Sequence, residues 1–259
     1  MAAAQIGMPR ALVERGIVPD IIVGCSGGAF NGASFAEDPS LERVAQLEQI
    51  WTTTAAKEVL RRPWMSPAVA LVGRGQSVHP TARLRQILGR MLDAATFEEL
   101  RVPFQCVATD VEAAAEHWFH RGELADALIA SAAAPVMFPP VEIAGRSYID
   151  GGVVNDVPVR RSVELGARTV YVLEVGRLSR PWEEPSRPVR MAVEAYWIAR
   201  RHRYMQEFAE LPDGVEVHVL PHKSPRDLRF HDLTRSAELI EGAYKASSAY
   251  LDDLAHLPH

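Results

Sequence analysis

Cysteine is scarce in this chain: only Cys25 and Cys106 occur among its 259 residues. Two cysteines give no disulfide framework, and no Cys/His cluster has the spacing of a zinc site. No apolar run approaches the roughly 20 residues that cross a bilayer. The opening residues Met1-Ala2-Ala3-Ala4-Gln5 lack the basic start and apolar stretch of a secretory signal. Excess positive charge is missing too. The formal net charge is −5, which gives no electrostatic footprint for nucleic acid. The short clusters Arg61-Arg62 and Arg200-Arg201-His202-Arg203 read as solvated helix faces. Nothing in the residues requires calcium, another metal or an organic cofactor. These absences lead to the expectation of a reduced, soluble, cytoplasmic protein, with its oligomeric state left open.

What the chain does have is apolar residues, 47% of the total, enough for a chain of this length to bury a core without staples. Helical periodicity over Met8–Glu14 ends at Gly16, and the β-branched run Ile21–Gly24 reads as a buried parallel strand. A helix from Gly27 to Phe35 follows, then one capped by Ser40 and running to about Val59. Residues 61–80 read as irregular, and the apolar stretch Trp64–Val72 within them as core packing, with the lining of an acyl pocket or a lipid-touching lid as the alternative. Next come a helix at Thr81–Leu92, a strand at Val102–Thr109 with a hairpin partner at Ala114–Phe119, and a short helix at Asp126–Ala134. A strand at Val141–Ile143 turns at Gly145. A strand at Arg168–Val175, a loop at Pro181–Pro188, a helix at Val189–Leu211, a strand at Val215–Leu220 and a helix at Thr234–Leu254 complete the pattern. Strands alternating with helices predict an α/β fold with a largely parallel sheet, in one domain over residues 1–259.

Gly24-Cys25-Ser26-Gly27-Gly28 contains G-x-S-x-G. A nucleophilic serine on a tight strand-to-helix turn needs small neighbours, because flanking side chains would strike the adjoining strand and helix. A strand runs in and a helix runs out, so backbone N–H groups and the positive end of a helix dipole lie beside Ser26. Cys25, pointing away from the turn, reads as a packing residue.

A serine hydroxyl needs a positioned base. In the Ser-Asp-His order of α/β-hydrolases, Asp150 would be followed by His202, His218 or His222. Only about twenty residues precede the nucleophile strand, however, which is too few for that fold. The other candidate is Asp150 itself, in Tyr148-Ile149-Asp150-Gly151-Gly152, where a carboxylate at a strand end faces little steric bulk. Asp-Gly-Gly also forms ordinary tight turns. Asp110 and Asp156 read as turn residues, Arg146 as solvating the turn at Gly145, and His117 and His120 as belonging to a strand with one buried face.

Three segments in order carry a wider resemblance. They are Pro19-Asp20-Ile21-Ile22-Val23-Gly24-Cys25-Ser26-Gly27-Gly28-Ala29-Phe30-Asn31-Gly32, Ala130-Ser131-Ala132-Ala133-Ala134-Pro135-Val136-Met137-Phe138-Pro139-Pro140, and Asp150-Gly151-Gly152-Val153-Val154-Asn155-Asp156-Val157-Pro158. Together they resemble the patatin-like phospholipases over about residues 5–175, with the strand and helices of about 189–255 packed on that core. The resemblance implies a three-layer α/β/α fold. It also implies a Ser26–Asp150 dyad with Gly24, Gly28, Gly151 and Gly152 as motif glycines, and hydrolysis of lipid or other carboxylic esters through an acyl-enzyme. Phospholipase A, lysophospholipase and carboxylesterase activities all fall in that class, and peripheral membrane contact fits it. A Ser-His-Asp hydrolase or acyltransferase is the alternative chemistry.

One part of the pattern is missing. Members of the family open with a strand and a glycine-rich loop, G-G-x-[RK]-G, that supplies oxyanion donors. Met1–Met8 here resembles the helix after that loop. The resemblance therefore implies either a start further upstream that supplies the loop, or a truncated relative of weak activity that keeps lipid or partner binding. Within this sequence the Gly27 N–H is the nearest oxyanion donor.

Overall fold

A computed structural model of the chain describes residues 2–53, 81–135, 137–175, 188–222 and 235–256. The helix expected to reach Val59 is described as far as Thr53. The stretch 61–80 with Trp64–Val72, and the loop at 181–187, lie outside the described residues.

A 3-10 turn at Ala2–Ile6 leads into helix α1, Gly7–Val13. The chain leaves that helix at Gly16, whose φ of +72° is the left-handed stop that a residue without Cβ adopts without strain. Strand β1, Ile22–Cys25, runs directly into α2, Gly27–Glu37. Helix α3, Leu41–Thr52, begins as expected at Ser40, whose hydroxyl accepts from the Arg43 N–H at 3.2 Å. Helix α4 is Ala82–Met91. Strands β2, Phe104–Asp110, and β3, Ala115–Phe119, form an antiparallel hairpin, and α5, Leu124–Ser131, follows. Strands β4, Val141–Ile143, and β5, Arg146–Asp150, are joined by Ala144 and Gly145, both at positive φ, as a two-residue hairpin of the primed type requires. A 3-10 turn at Gly151–Val153 then leads to α6, Val159–Glu164. Strand β6, Thr169–Val172, pairs parallel with β7, Glu216–Val219, on either side of the long helix α7, Pro188–Ala209. Helix α8, Ser236–Ala255, ends the described chain.

The fold is α/β, as expected. The described strands form two sheets: a five-stranded one, in which β1 pairs parallel with β2 while β2 with β3, β2 with β5 and β4 with β5 pair antiparallel, and a two-stranded one, in which β6 pairs parallel with β7. The register around β2 sets up everything that follows. Strand β3 covers Cys106–Asp110 along one edge. Strands β1 and β5 must therefore share the other edge, β1 opposite Phe104–Val107 and β5 opposite Ala108–Asp110. They run toward each other and meet with their C-terminal ends, Cys25 opposite Val107 and Asp150 opposite Ala108.

Strand β2 is buried along nearly its whole length, with Val107 and Ala108 fully enclosed. On one side α2 to α5 supply a core that includes Phe30, Leu47, Trp51, Leu88 and Leu128. Helix α8 packs against α1 through Leu239, Ala243, Met8 and Leu12. That crossing is tight: a Cβ on Gly7 would lie 2.1 Å from the Ile240 carbonyl. Among the described residues, no helix is long and apolar enough to cross a membrane.

Candidate active site

Ser26 links the end of β1 to the start of α2 with φ 53° and ψ −124°, a conformation L-residues seldom adopt. Such a backbone costs about 1–3 kcal/mol and persists only where its surroundings hold it. Its N–H donates to Ser131 Oγ at 3.0 Å, and its carbonyl accepts from Ala29 N–H at 2.9 Å. Gly24 makes the turn possible, since a Cβ there would lie 2.7 Å from Ala29 Cα. Gly28, the other motif glycine, is less constrained. A Cβ there would meet the Gln5 side-chain amide at 3.3 Å, the far end of a side chain. A Cβ on Gly27 would lie 2.8 Å from the Ala2 Cβ. As the first residue of α2, it has an N–H with no carbonyl in its own helix to receive it.

The Ser26 hydroxyl donates to Asp150 Oδ2 at 2.7 Å. Asp150 ends β5, only 4% exposed, and its other oxygen accepts from the Gly152 N–H at 2.8 Å. The Asp150 backbone is fixed on both sides: its N–H donates to the Ala133 carbonyl at 3.0 Å, and its carbonyl accepts from Thr109 Oγ1 at 2.8 Å. Gly151 lies hard against β2, where a Cβ would be 2.3 Å from the Val107 carbonyl. Burial pushes the Asp150 carboxyl up to about 6, against the opposing pull of the Ser26 hydrogen bond, the Arg200 charge and the Gly152 N–H. A carboxylate raised that far stays ionised at neutral pH and is a stronger base than an ordinary aspartate.

The pair sits under α7. Arg200 forms an ion pair with Asp156, and the two side chains are 12% and 17% exposed. Three residues on, Arg203 contacts Glu116 at 2.7 Å and Glu207 at 3.0 Å. Asn155 donates to the same Glu116 oxygen at 3.1 Å. The cluster expected as a solvated face is thus divided: Arg201 and His202 are exposed, while Arg200 and Arg203 turn inward. Asp156 lies in the bend that follows the 3-10 turn, as expected, and is also the half-buried partner of this ion pair.

The remaining candidates make other contacts. Cys25 is buried beside the site, and its thiol is pushed up first by burial and then by the nearby charges of Asp150 and Asp156. His218 packs on Tyr171 and contacts Tyr250 Oη at 3.2 Å, and His202 is on the outer side of α7. Asp110 closes the β2–β3 turn through the Ala113 N–H and also pairs with Arg146 at 2.6 Å, so Arg146 does more than solvate a turn. His117 packs in an aromatic cluster with Phe119 and Tyr148. Ser131 was missed as a site residue. Its signal was a lone hydroxyl in a helix end otherwise made of alanines. A cavity of about 340 Å³ lined by Phe97, Leu100, Pro103 and Phe104 lies at the opposite end of β2 from Asp150.

The family model described as "Patatin-like phospholipase" matches residues 2–162. The rat patatin-like phospholipase domain-containing protein 7 is 31% identical over 179 residues, 67% of this chain and 12% of that protein. An uncharacterized NTE family protein of Mycobacterium tuberculosis is 30% identical over 200 residues, 77% of this chain and 52% of its own length. The chain thus spans an eighth to a half of these curated relatives. Among solved structures, VipD from Legionella pneumophila aligns over 97% of this chain and 65% of its own, with 14% identity and a TM-score of 0.46. With the family model covering well over half of its length, this chain belongs to the patatin-like phospholipase family.

Proposed function

We propose that this protein hydrolyses carboxylic ester bonds of lipids, with Ser26 as nucleophile and Asp150 as base. The hydrogen bond from a strained serine to a buried carboxylate carries this reading. Ser26 Oγ attacks the ester carbonyl carbon as its proton passes to Asp150 Oδ2. Collapse of the tetrahedral intermediate expels the alcohol, which takes the proton from Asp150 and leaves an acyl-serine. A water molecule then attacks the acyl carbon, giving its proton to Asp150. Release of the fatty acid returns that proton to Ser26. The α2 N-terminus, with Gly27 N–H at its head, is where developing oxyanion charge is best received. The Ser26 N–H, already bonded to Ser131, is not available for that task. Both Asp150 oxygens are engaged, one directly by the serine, which supports a dyad rather than a triad routed through histidine.

A lipid substrate also implies contact with a lipid surface, and α7 offers one. Met191, Ile198 and Met205 recur every seven residues and are 53%, 54% and 59% exposed. On a helical wheel they form one stripe flanked on either side by exposed Arg201 and His202. An apolar ridge with an arginine at one edge and a histidine at the other suits contact with a lipid surface. Arg200 lies on the opposite face of the same helix, beside the proposed dyad.

The test is ester turnover by Ser26→Ala and Asp150→Asn, both checked for folding. Loss of hydrolysis in both supports the dyad. Wild-type turnover in either one sinks it.

A further inference from the structure

The Arg200 guanidinium is held from several directions. It pairs with Asp156, Nη1 contacts Tyr196 Oη at 3.1 Å, and its carbon lies 4.6 Å from the centre of the Trp197 ring. The space at Gly152 shows how close it comes to Asp150. One point, where a Cβ on Gly152 would stand, is 2.7 Å from Arg200 Nη2 and 3.0 Å from Asp150 Oδ1. Only a glycine lets the cation and the carboxylate face each other there.

We propose that Arg200 is a positioning residue for the proposed base. It supplies the counter-charge that keeps the Asp150 carboxylate ready to accept the serine proton, and Asp156 divides that counter-charge. The inference rests on the dyad reading above and concerns the control of the same site.

The groups around Asp150 come from every element packed on it. Strand β1 brings Cys25, the turn brings Ser26, the 3-10 turn brings the Gly152 N–H, the following loop brings Asp156, and α7 brings Arg200 and Tyr196. Arg200 is the cation in this set. Burial works against its charge, but the carboxylates of Asp156 and Asp150 oppose that. The two members of the ion pair act on the base with opposite signs: Arg200 favours the Asp150 anion, whereas Asp156 disfavours it. If the pair merely fastened α7 to the sheet, activity in its variants would not follow these signs. Cutting it from either side would then weaken the structure alike.

This difference in sign gives the test. The pH dependence of kcat/KM for p-nitrophenyl butyrate, and of fluorophosphonate labelling, is measured from pH 5 to 9 on the whole chain. The variants are Arg200→Gln, Arg200→Lys and Asp156→Asn. An opposite charge a few ångströms away typically moves a carboxyl by about one to three pH units. Arg200→Gln is therefore expected to raise the midpoint of the acidic limb by about one unit, with roughly fivefold loss near pH 6 that largely recovers by pH 9. Arg200→Lys keeps the charge and most of the wild-type profile. Asp156→Asn moves the midpoint down. If Arg200→Gln does not fold, Asp156→Asn decides alone, because it leaves the cation in place: a downward shift supports the proposal, and an unchanged or raised midpoint overturns it. Equal losses at every pH in both variants, or shifts in one direction, overturn it as well. Absence of labelling in the wild type at any pH would instead remove the dyad, and the inference with it.

Discussion

Ser26 and Asp150 are 124 positions apart in the chain and 2.7 Å apart in space. Two strands of opposite direction, sharing one edge of β2, bring them together. The residue before the serine stands opposite Val107, and the aspartate stands opposite Ala108. The separation of the two groups is thus fixed by consecutive positions of a buried strand. A catalytic geometry set by a sheet varies less than one set by loops.

If Asp150 is the base, Asp150→Asn keeps the shape and removes the proton acceptor. Turnover of a soluble ester is expected to fall by about 10²–10⁴. Alanine at His202, His218 or His222 should leave most of the activity. A histidine as necessary as Asp150 would restore the triad.

Asp150 also makes stability depend on pH. Its carboxyl is raised from 3.8 to about 6 in the folded chain. Between those values the folded protein holds a proton that the unfolded chain has lost, so the group's contribution to stability falls as pH rises from about 4 to 6. The full change is about 2–3 kcal/mol. Asn cannot ionise, so the melting temperature of Asp150→Asn relative to wild type is expected to rise by several degrees between pH 4 and pH 8. A difference that stays constant across that range contradicts the raised carboxyl.

The turn itself can be tested at its glycines. Gly24→Ala forces a Cβ to within 2.7 Å of Ala29 Cα, backbone that cannot step aside. It should cost about 3 kcal/mol or more, as overpacking does at its upper end. Gly28→Ala meets a side-chain amide at 3.3 Å and should cost about 1 kcal/mol or less. Equal melting temperatures for the two variants would show that the motif glycines play equal parts.

Ser131 is the support the turn leans on. Ser131→Ala leaves the Ser26 N–H without its partner, at a cost of about 1–3 kcal/mol. Labelling of Ser26 should slow at least severalfold, because the strained backbone relaxes. Unchanged labelling kinetics would mean the turn holds without it.

The proposed lipid face makes a separate claim. Ile198→Asp with Met205→Asp should reduce sedimentation with anionic phospholipid vesicles several-fold and leave hydrolysis of a soluble ester unchanged. If vesicle binding is unaffected, the stripe is not the lipid-facing surface.

Much of the architecture was legible in the residues. Alternating β-branched and helical segments gave the α/β class, and Ser40, Gly16 and Gly145 marked a cap, a helix stop and a turn where the structure has them. Ser26 and Asp150 stood out by the small residues around them. The meeting of β1 and β5 on one edge of β2 was not legible, because it depends on pairings between distant segments that no local pattern encodes. The ion pair of Asp156 was not legible, because its partner lies on α7. The inward faces of Arg200 and Arg203 could not be read either. Their helix carries Met191, Ile198 and Met205 on the outside, so apolar periodicity there does not mark the buried side.

The most direct measurement is to treat the protein with a fluorophosphonate and map the modified residue by peptide mass spectrometry. The account predicts one adduct, on Ser26, absent from Ser26→Ala and strongly slowed in Asp150→Asn. An adduct on Cys25 or any other residue, or labelling that persists in Ser26→Ala, would contradict it.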